Sequence, residues 1–192
     1  MPANHFIIAL SVFFITGTTC YCSPVKSGNG ETPVDSGLTA PVSNSANILT
    51  GAERFDQYIQ LLKGKTVAVF ANQTSMAGNT HLVDALKSRG VIIKKIFSPE
   101  HGFRGTADAG EKVGNYTDAQ TGIPVISLYG SKRKPTAEDV KDADVLIFDI
   151  QDVGVRFYTY ISSLQEFMEA AIALNKPLMI LDRPNPNGYY VD

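Results

Sequence analysis

Tryptophan is missing from this chain, and cysteine occurs only at Cys20 and Cys22. Both cysteines precede the region where apolar periodicity begins. The folded part therefore has no disulfide, no thiolate metal site and no cysteine nucleophile. Histidine is almost as scarce, with His81 and His101 alone inside that region. Charge of one sign is lacking too: 17 Lys and Arg stand against 19 Asp and Glu, a net charge of -2. Such a balance gives no electrostatic footprint for nucleic acid, and no polybasic stretch argues for a membrane surface. There is no G-x-G-x-x-G fingerprint, no Walker A loop and no G-x-S-x-G elbow, so no dinucleotide or other cofactor is expected.

What is present begins with Phe6 to Ile15 (FIIALSVFFI), ten residues of which only Ser11 is polar. The run is short for a bilayer span and the right length for a signal h-region. Small residues follow up to Cys20, which is a candidate lipid-attachment site. Residues 1–22 thus read as an export leader of signal-peptide or lipoprotein type, and an exported, periplasmic location is expected. Residues 23–50 are rich in Ser, Pro, Gly, Asn and Thr without apolar periodicity, which reads as a flexible linker. Residues 51–192 remain for one domain with one core.

Within that domain helices and strands alternate. Phe55, Ile59 and Leu62 recur at helical spacing over 52–62, and Gly64 stops the run. Strands are expected at Thr66 to Ala71 (TVAVFA), Val91 to Phe97, Pro124 to Leu128, Asp144 to Ile150 and Leu178 to Leu181. A helix from Leu82 ends at Gly90, with His81 expected on its surface. Thr136 caps a short helix, and Ile161, Leu164, Met168, Ala171 and Ile172 mark one face of a long one. Val- and Ile-rich strands separated by helices mean a mostly parallel sheet with helices on both faces, an α/β fold of Rossmann-like or flavodoxin-like type. Strand order is not legible.

Polar residues gather where each strand ends. Asn72, Gln73, Thr74 and Ser75 follow the first strand and Ser98 to Gly102 the second. Tyr129 to Ser131 follow the third, Asp149, Gln151 and Asp152 the fourth, and Asp182 to Asn185 the fifth. In a parallel sheet these loops meet at one edge, where open α/β sheets bind ligands. Helix capping alone also makes such loops polar, but five loops this rich in charged, amide and phenol groups exceed that need.

Three units can carry chemistry. In Ser98-Pro-Glu-His-Gly-Phe-Arg-Gly105, Glu100 is a candidate general acid, and His101 can orient it or bind substrate. Arg104 can fork onto an anionic ligand. The structural alternative is an ion-paired loop. In Asp149-Ile-Gln-Asp-Val-Gly-Val-Arg-Phe-Tyr158, Asp149 and Asp152 are either acids of the site or caps for the following helix, and Arg156 and Tyr158 fall near its start. In Asp182-Arg-Pro-Asn-Pro-Asn-Gly188, Asp182 either binds a hydroxyl or pairs with Arg183. A metal held by His101, Asp149, Asp152 and Asp182 is conceivable, but none is expected.

The stretches NQTS at 72–75, SPEHGFRG at 98–105, DAGE at 108–111, TGIPVISLYG at 121–130, DIQDVGVRFYTY at 149–160 and DRPNPNG at 182–188 carry a resemblance. From Ala52 to Asp192 the chain resembles the N-terminal domain of the NamZ-type exo-β-N-acetylmuramidases. The resemblance implies hydrolysis of terminal β-linked N-acetylmuramic acid from peptidoglycan fragments. It also implies a Rossmann-like domain followed by a smaller C-terminal domain, which is missing from this chain, with the site in the cleft between them. The site-lining glutamate of the family falls on Glu100.

Glycosidic cleavage commonly uses two carboxyl groups. With Glu100 as the acid, Glu111, Asp149 and Asp152 are the candidates for the second role, unless the substrate's acetamido group takes it. Arg104 and Arg156 are the candidates for reading the lactyl carboxylate, and Asn72, Gln73, Tyr158 and Asp182 for binding the rest of the sugar. In the absence of Trp, tyrosine supplies the amphipathic aromatic surface. Two other classes stay open: a non-catalytic module that binds muropeptides or another saccharide, and a metal-dependent hydrolase. Oligomeric state is not legible.

Overall fold

Residues 48–105 and 114–188 are described by the computed structural model. The expected leader, both cysteines, the linker before residue 48, Glu111 and the rest of the DAGE stretch lie outside them.

The fold is organised by β1, Thr66–Ala71, whose alternate residues are apolar on both sides. The other strands are β2 (Met76–Ala77), β3 (Thr80–His81), β4 (Ile92–Ser98), β5 (Tyr116–Thr117), β6 (Pro124–Ser127), β7 (Val145–Asp149) and β8 (Leu178–Ile180). Six of them form one sheet in the order β5-β6-β4-β1-β7-β8. All pairings in it are parallel except β5 on β6. The five parallel strands, numbered along the chain, therefore run 3-2-1-4-5. That is the Rossmann order rather than the flavodoxin one, and it places a topological switch point at β1, between β4 and β7.

Strand periodicity divides the core in two. Val67, Val69, Ala71, Val145 and Ile147 face one layer with Leu82, Val83 and Leu86 of helix α2 (Leu82–Ser88). Ala68, Phe70, Phe97, Leu146 and Phe148 face the other, with Val140 of α3 (Ala137–Val140) and Phe167 of α4 (Tyr160–Ala173). A side-chain period of two puts neighbours on opposite faces, so strands covered on both sides read as unbroken apolar runs.

Several expectations need correction. The helix expected over 52–62 is broken into a 3-10 turn at Gly51–Glu53, a short α1 (Phe55–Tyr58) and a second 3-10 turn at Ile59–Leu62. Arg54 leaves helical geometry, with φ -84° and ψ 49°, and the Gly51 N–H is drawn onto the Asp182 carbonyl at 2.7 Å. The buried face of α4 is Phe167, Ala170 and Ala171, with Tyr160, Leu164 and Met168 beside it, whereas Ile161 and Ile172 are exposed. Phe167 contacts the rings of Phe70, Phe97 and Phe148, and this aromatic cluster sets the rotation of the helix. His81 is buried rather than on the surface.

Candidate functional site

The loop after β1 is built from its own side chains. The Asn72 Oδ1 accepts from the Thr74 N–H at 2.9 Å and the Thr74 hydroxyl at 2.6 Å. Its backbone N–H donates to the Ser75 Oγ at 3.0 Å, and Ser75 donates in turn to the Asp149 carbonyl. The Gln151 N–H donates to the Thr74 Oγ1 at 3.0 Å. The loops after β1 and β7 are thereby joined across the switch point.

His81 holds this loop from behind. Its Nδ1 accepts from the Val83 N–H, which leaves Nε2 to donate to the Asn72 carbonyl at 2.9 Å. Its ring packs edge-on to Phe103, and burial pushes its pKa down, so the neutral imidazole is favoured. Sequence periodicity missed this role because the residue precedes a helix and resembles an ordinary cap.

After β4, a turn closes with the Gly102 N–H on the Pro99 carbonyl. His101 sits there in the left-handed region at φ 70°, a conformation L residues adopt at a cost. Phe103 anchors the loop in the core. Glu100 remains half-buried on the edge, and the Tyr129 phenol after β6 is held up in pKa by a hydrogen bond to it. Tyr160 stands on the other side, at the start of α4. Burial raises the Tyr160 phenol, the Asn72 side chain opposes that shift, and Tyr158 and Glu100 add to it. The rings of Tyr158 and Tyr160 lie 6.1 Å apart.

Arg104 does not offer its fork to solvent. It donates to both oxygens of Asp84 at 2.9 and 3.2 Å and to both of Asp118 at 3.2 and 3.0 Å. Asp118 follows β5 and meets Arg104 beside Asp84, which corrects the expected ligand contact. Arg156 is exposed and forms no ion pair among the described residues.

Asp149 is also committed. It is fully buried, and Arg183 donates from Nε to one oxygen and from Nη2 to the other, with a further bond from Nη2 to the Met76 carbonyl. Burial pushes the Asp149 carboxyl up and the guanidinium pulls against that. With both oxygens occupied, Asp149 is a structural anchor and not the free acid expected. Asp182 forms no ion pair with the Arg183 guanidinium, which is committed to Asp149. Instead its Oδ1 accepts the Arg183 backbone N–H at 2.9 Å, and the residue stays exposed. Asp152 accepts from the Gly154 N–H at 2.9 Å, closing a turn, and neither it nor Asp149 caps α4, whose N-cap is Thr159. Among the described residues no three His, Cys, Asp or Glu groups come together as a metal site. The conceived set of His101, Asp149, Asp152 and Asp182 is therefore not assembled.

Among the described residues, two polar atoms on this edge are buried without a hydrogen-bond partner, the Asn72 Nδ2 and the Ser98 Oγ. Beside Tyr160, a notch of about 140 Å³ opens between α4 and the ends of β7 and β8, walled by Phe148, Ile150, Leu164 and Ile180 and rimmed by Asp152 and Asp182. Gln73 is exposed next to Gly105. The structure thus brings Asn72, Glu100 and Tyr158 together with Tyr129, which the sequence placed on this edge without a role, and Tyr160, which the motif contained but did not single out. It leaves Arg104 and Asp149 in ion pairs.

The family model described as "Exo-beta-N-acetylmuramidase NamZ, N-terminal" matches residues 67–192. The chain is 50% identical over 135 residues to the peptidoglycan beta-N-acetylmuramidase NamZ of Bacillus subtilis strain 168, covering 68% of this chain and 32% of that protein. Two crystal structures of DUF1343-family proteins from Bacteroides fragilis NCTC 9343 are similar. One superposes with a TM-score of 0.64 at 45% identity, covering 75% of this chain and 37% of its own. The other gives 0.63 at 43%, covering 73% and 35%. The chain spans about a third of the length of these relatives.

Proposed function

Because the chain belongs to the NamZ exo-β-N-acetylmuramidase family, within the N-terminal part of that family, we propose that it forms the site-bearing half of an exo-acting glycosidase. The substrate is a terminal β-linked N-acetylmuramic acid on a peptidoglycan fragment. The observation that carries this reading is the place of Glu100, at the carboxyl edge of β4 beside the switch point, with Tyr129 and Tyr160 around it. On the same edge one of the other candidate carboxylates, Asp149, is sealed in an ion pair.

In this reading Glu100 gives its proton to the glycosidic oxygen as the bond to the anomeric carbon breaks, and water supplies the hydroxyl of the released sugar. Asp152 and Glu111 remain the protein candidates for the second role, with the substrate's acetamido oxygen as the alternative. Tyr158 and Tyr129 offer amphipathic rings to the sugar. Arg156, whose guanidinium is not engaged by a carboxylate among the described residues, reads the lactyl carboxylate. Gln73 and Asp182, both exposed on this edge, bind hydroxyls. Export through the leader, with Cys20 as the lipid anchor, brings the protein to its polymer.

The test is hydrolysis of an aryl β-N-acetylmuramide, with the glucosaminide as control. It is run with the full chain and with a form extended by the remaining two thirds of the B. subtilis relative. Cleavage selective for the muramide supports the reading, and none in either form overturns it in favour of a saccharide-binding module.

A further inference from the structure

The notch beside Tyr160 has a composition that the general reading of the edge leaves unexplained. Phe148, Ile150, Leu164 and Ile180 give it apolar walls, and Asp152, Asp182 and Arg183, the last already paired with Asp149, join the lining. Tyr160 forms part of the same lining and carries the one phenol there. Behind Tyr160 is Asn72, fully buried, with its Oδ1 fixed by two bonds from Thr74. Fixing Oδ1 also fixes Nδ2, a buried donor with no fully formed hydrogen bond among the described residues, and the Asn72 side chain lies near enough to the Tyr160 phenol to pull its pKa down. A phenolic oxygen approached by an amide donor keeps its own O–H for an acceptor elsewhere. A buried donor left unpaired is costly, so an arrangement in which ligand draws the phenol onto Nδ2 gains a hydrogen bond at both ends.

A ligand group that suits this place is small, has a carbonyl acceptor and ends in a methyl. We propose that the notch between α4 and the ends of β7 and β8 is the pocket for the 2-acetamido group of the sugar. Tyr160 donates to the amide carbonyl, the methyl lies against Ile150 and Leu164, and Asn72 acts as the positioning residue that orients the phenol. The inference rests on the proposed glycosidase or saccharide reading and names the substituent that this site selects. It places the acetamido group beside Glu100, whose charge is felt at the Tyr160 phenol.

The test is binding of two neutral-at-C2 methyl glycosides to the full chain, followed by ligand-observed NMR. One is methyl β-N-acetylmuramide, and the other is its analogue with a hydroxyl in place of the acetamido group. The native protein is expected to prefer the acetamido sugar by about tenfold or more, the worth of one hydrogen bond and a buried methyl. Tyr160→Phe removes the donor and little volume, and should bring the two affinities within about threefold by weakening binding of the acetamido sugar. Leu164→Trp, which fills the notch, should do the same. In the Tyr160→Phe background Asn72→Ser should cost no further selectivity, which separates a positioning role from a general loss of fold. A preference that survives both Tyr160→Phe and Leu164→Trp overturns the pocket even if the muramide is hydrolysed. Failure to bind or cleave any muramide overturns the functional reading, and the pocket with it.

Discussion

Arg183 reaches back 34 residues to Asp149 and satisfies both of its carboxylate oxygens, at 2.5 and 2.9 Å, in a place where the acid is fully buried and the guanidinium almost so. The same guanidinium bonds the Met76 carbonyl in the hairpin after β1. One side chain thus ties the loops after β1, β7 and β8 together at the switch point. Removing one partner of a buried pair leaves an uncompensated charge. Arg183→Met is expected to lower stability by about 3–5 kcal/mol, read from urea denaturation midpoints. A change within experimental error would show that the pair does not hold the edge together.

Glu100 is the residue on which the proposed chemistry turns. Glu100→Gln keeps the size and most hydrogen bonding and removes the transferable proton. Muramide hydrolysis should fall by roughly 10²–10⁴-fold with saccharide affinity nearly unchanged. Undiminished turnover in this variant would eliminate the residue as the acid.

The two arginines offered by the motifs should separate in their effects. Arg104 is held by Asp84 and Asp118 with little exposure, so Arg104→Gln should cost about 2 kcal/mol of stability and leave sugar preference alone. Arg156 is exposed, so Arg156→Gln should leave stability alone and reduce the preference for muramide over glucosaminide. Thermal melts alongside kcat/KM for both substrates test this. The opposite pattern would reverse the assignment.

His81 makes the fold sensitive to acid. Burial lowers its pKa from the ordinary 6.5, so below that value the unfolded chain takes up a proton that the native imidazole resists. Its contribution is fully present above pH 6.5 and is lost as pH falls toward the depressed native value. The urea midpoint should therefore drop between neutral pH and pH 5, and His81→Gln should flatten that limb while lowering the plateau. An identical slope in the variant would refute the linkage.

Gly51 lacks a side chain for a reason of space. A Cβ there would lie 2.6 Å from the Asp182 nitrogen and 2.8 Å from the Leu181 carbonyl carbon, both rigid backbone. Gly51→Ala should destabilise by about 1–3 kcal/mol, as overpacking does, and should shift the amide resonances of Asp182 and Arg183. Native-like stability and unchanged spectra would disprove this close approach.

Much of this architecture was legible without coordinates. Five apolar runs rich in branched residues, separated by helical periodicity, are enough to determine a parallel α/β sheet, because strand length and period are local properties of the chain. The chemistry-bearing loops could be found the same way, since all parallel strands end at one edge. The motifs at 72–75, 98–105 and 149–160 also determined the family. Tertiary structure alone decided the strand order, because pairing partners depend on contacts between distant segments. It also decided which charged groups are available. Arg104, Asp149, Asp152 and Asp182 look alike in sequence, yet Arg104 is spent on Asp84 and Asp118, and Asp149 on Arg183. Tyr160 and Asn72 are 88 positions apart in the numbering and meet only because α4 starts over the end of β1. A local pattern reports which groups a chain carries, but burial and pairing, which determine whether such a group faces a ligand or another residue, are set by long-range packing.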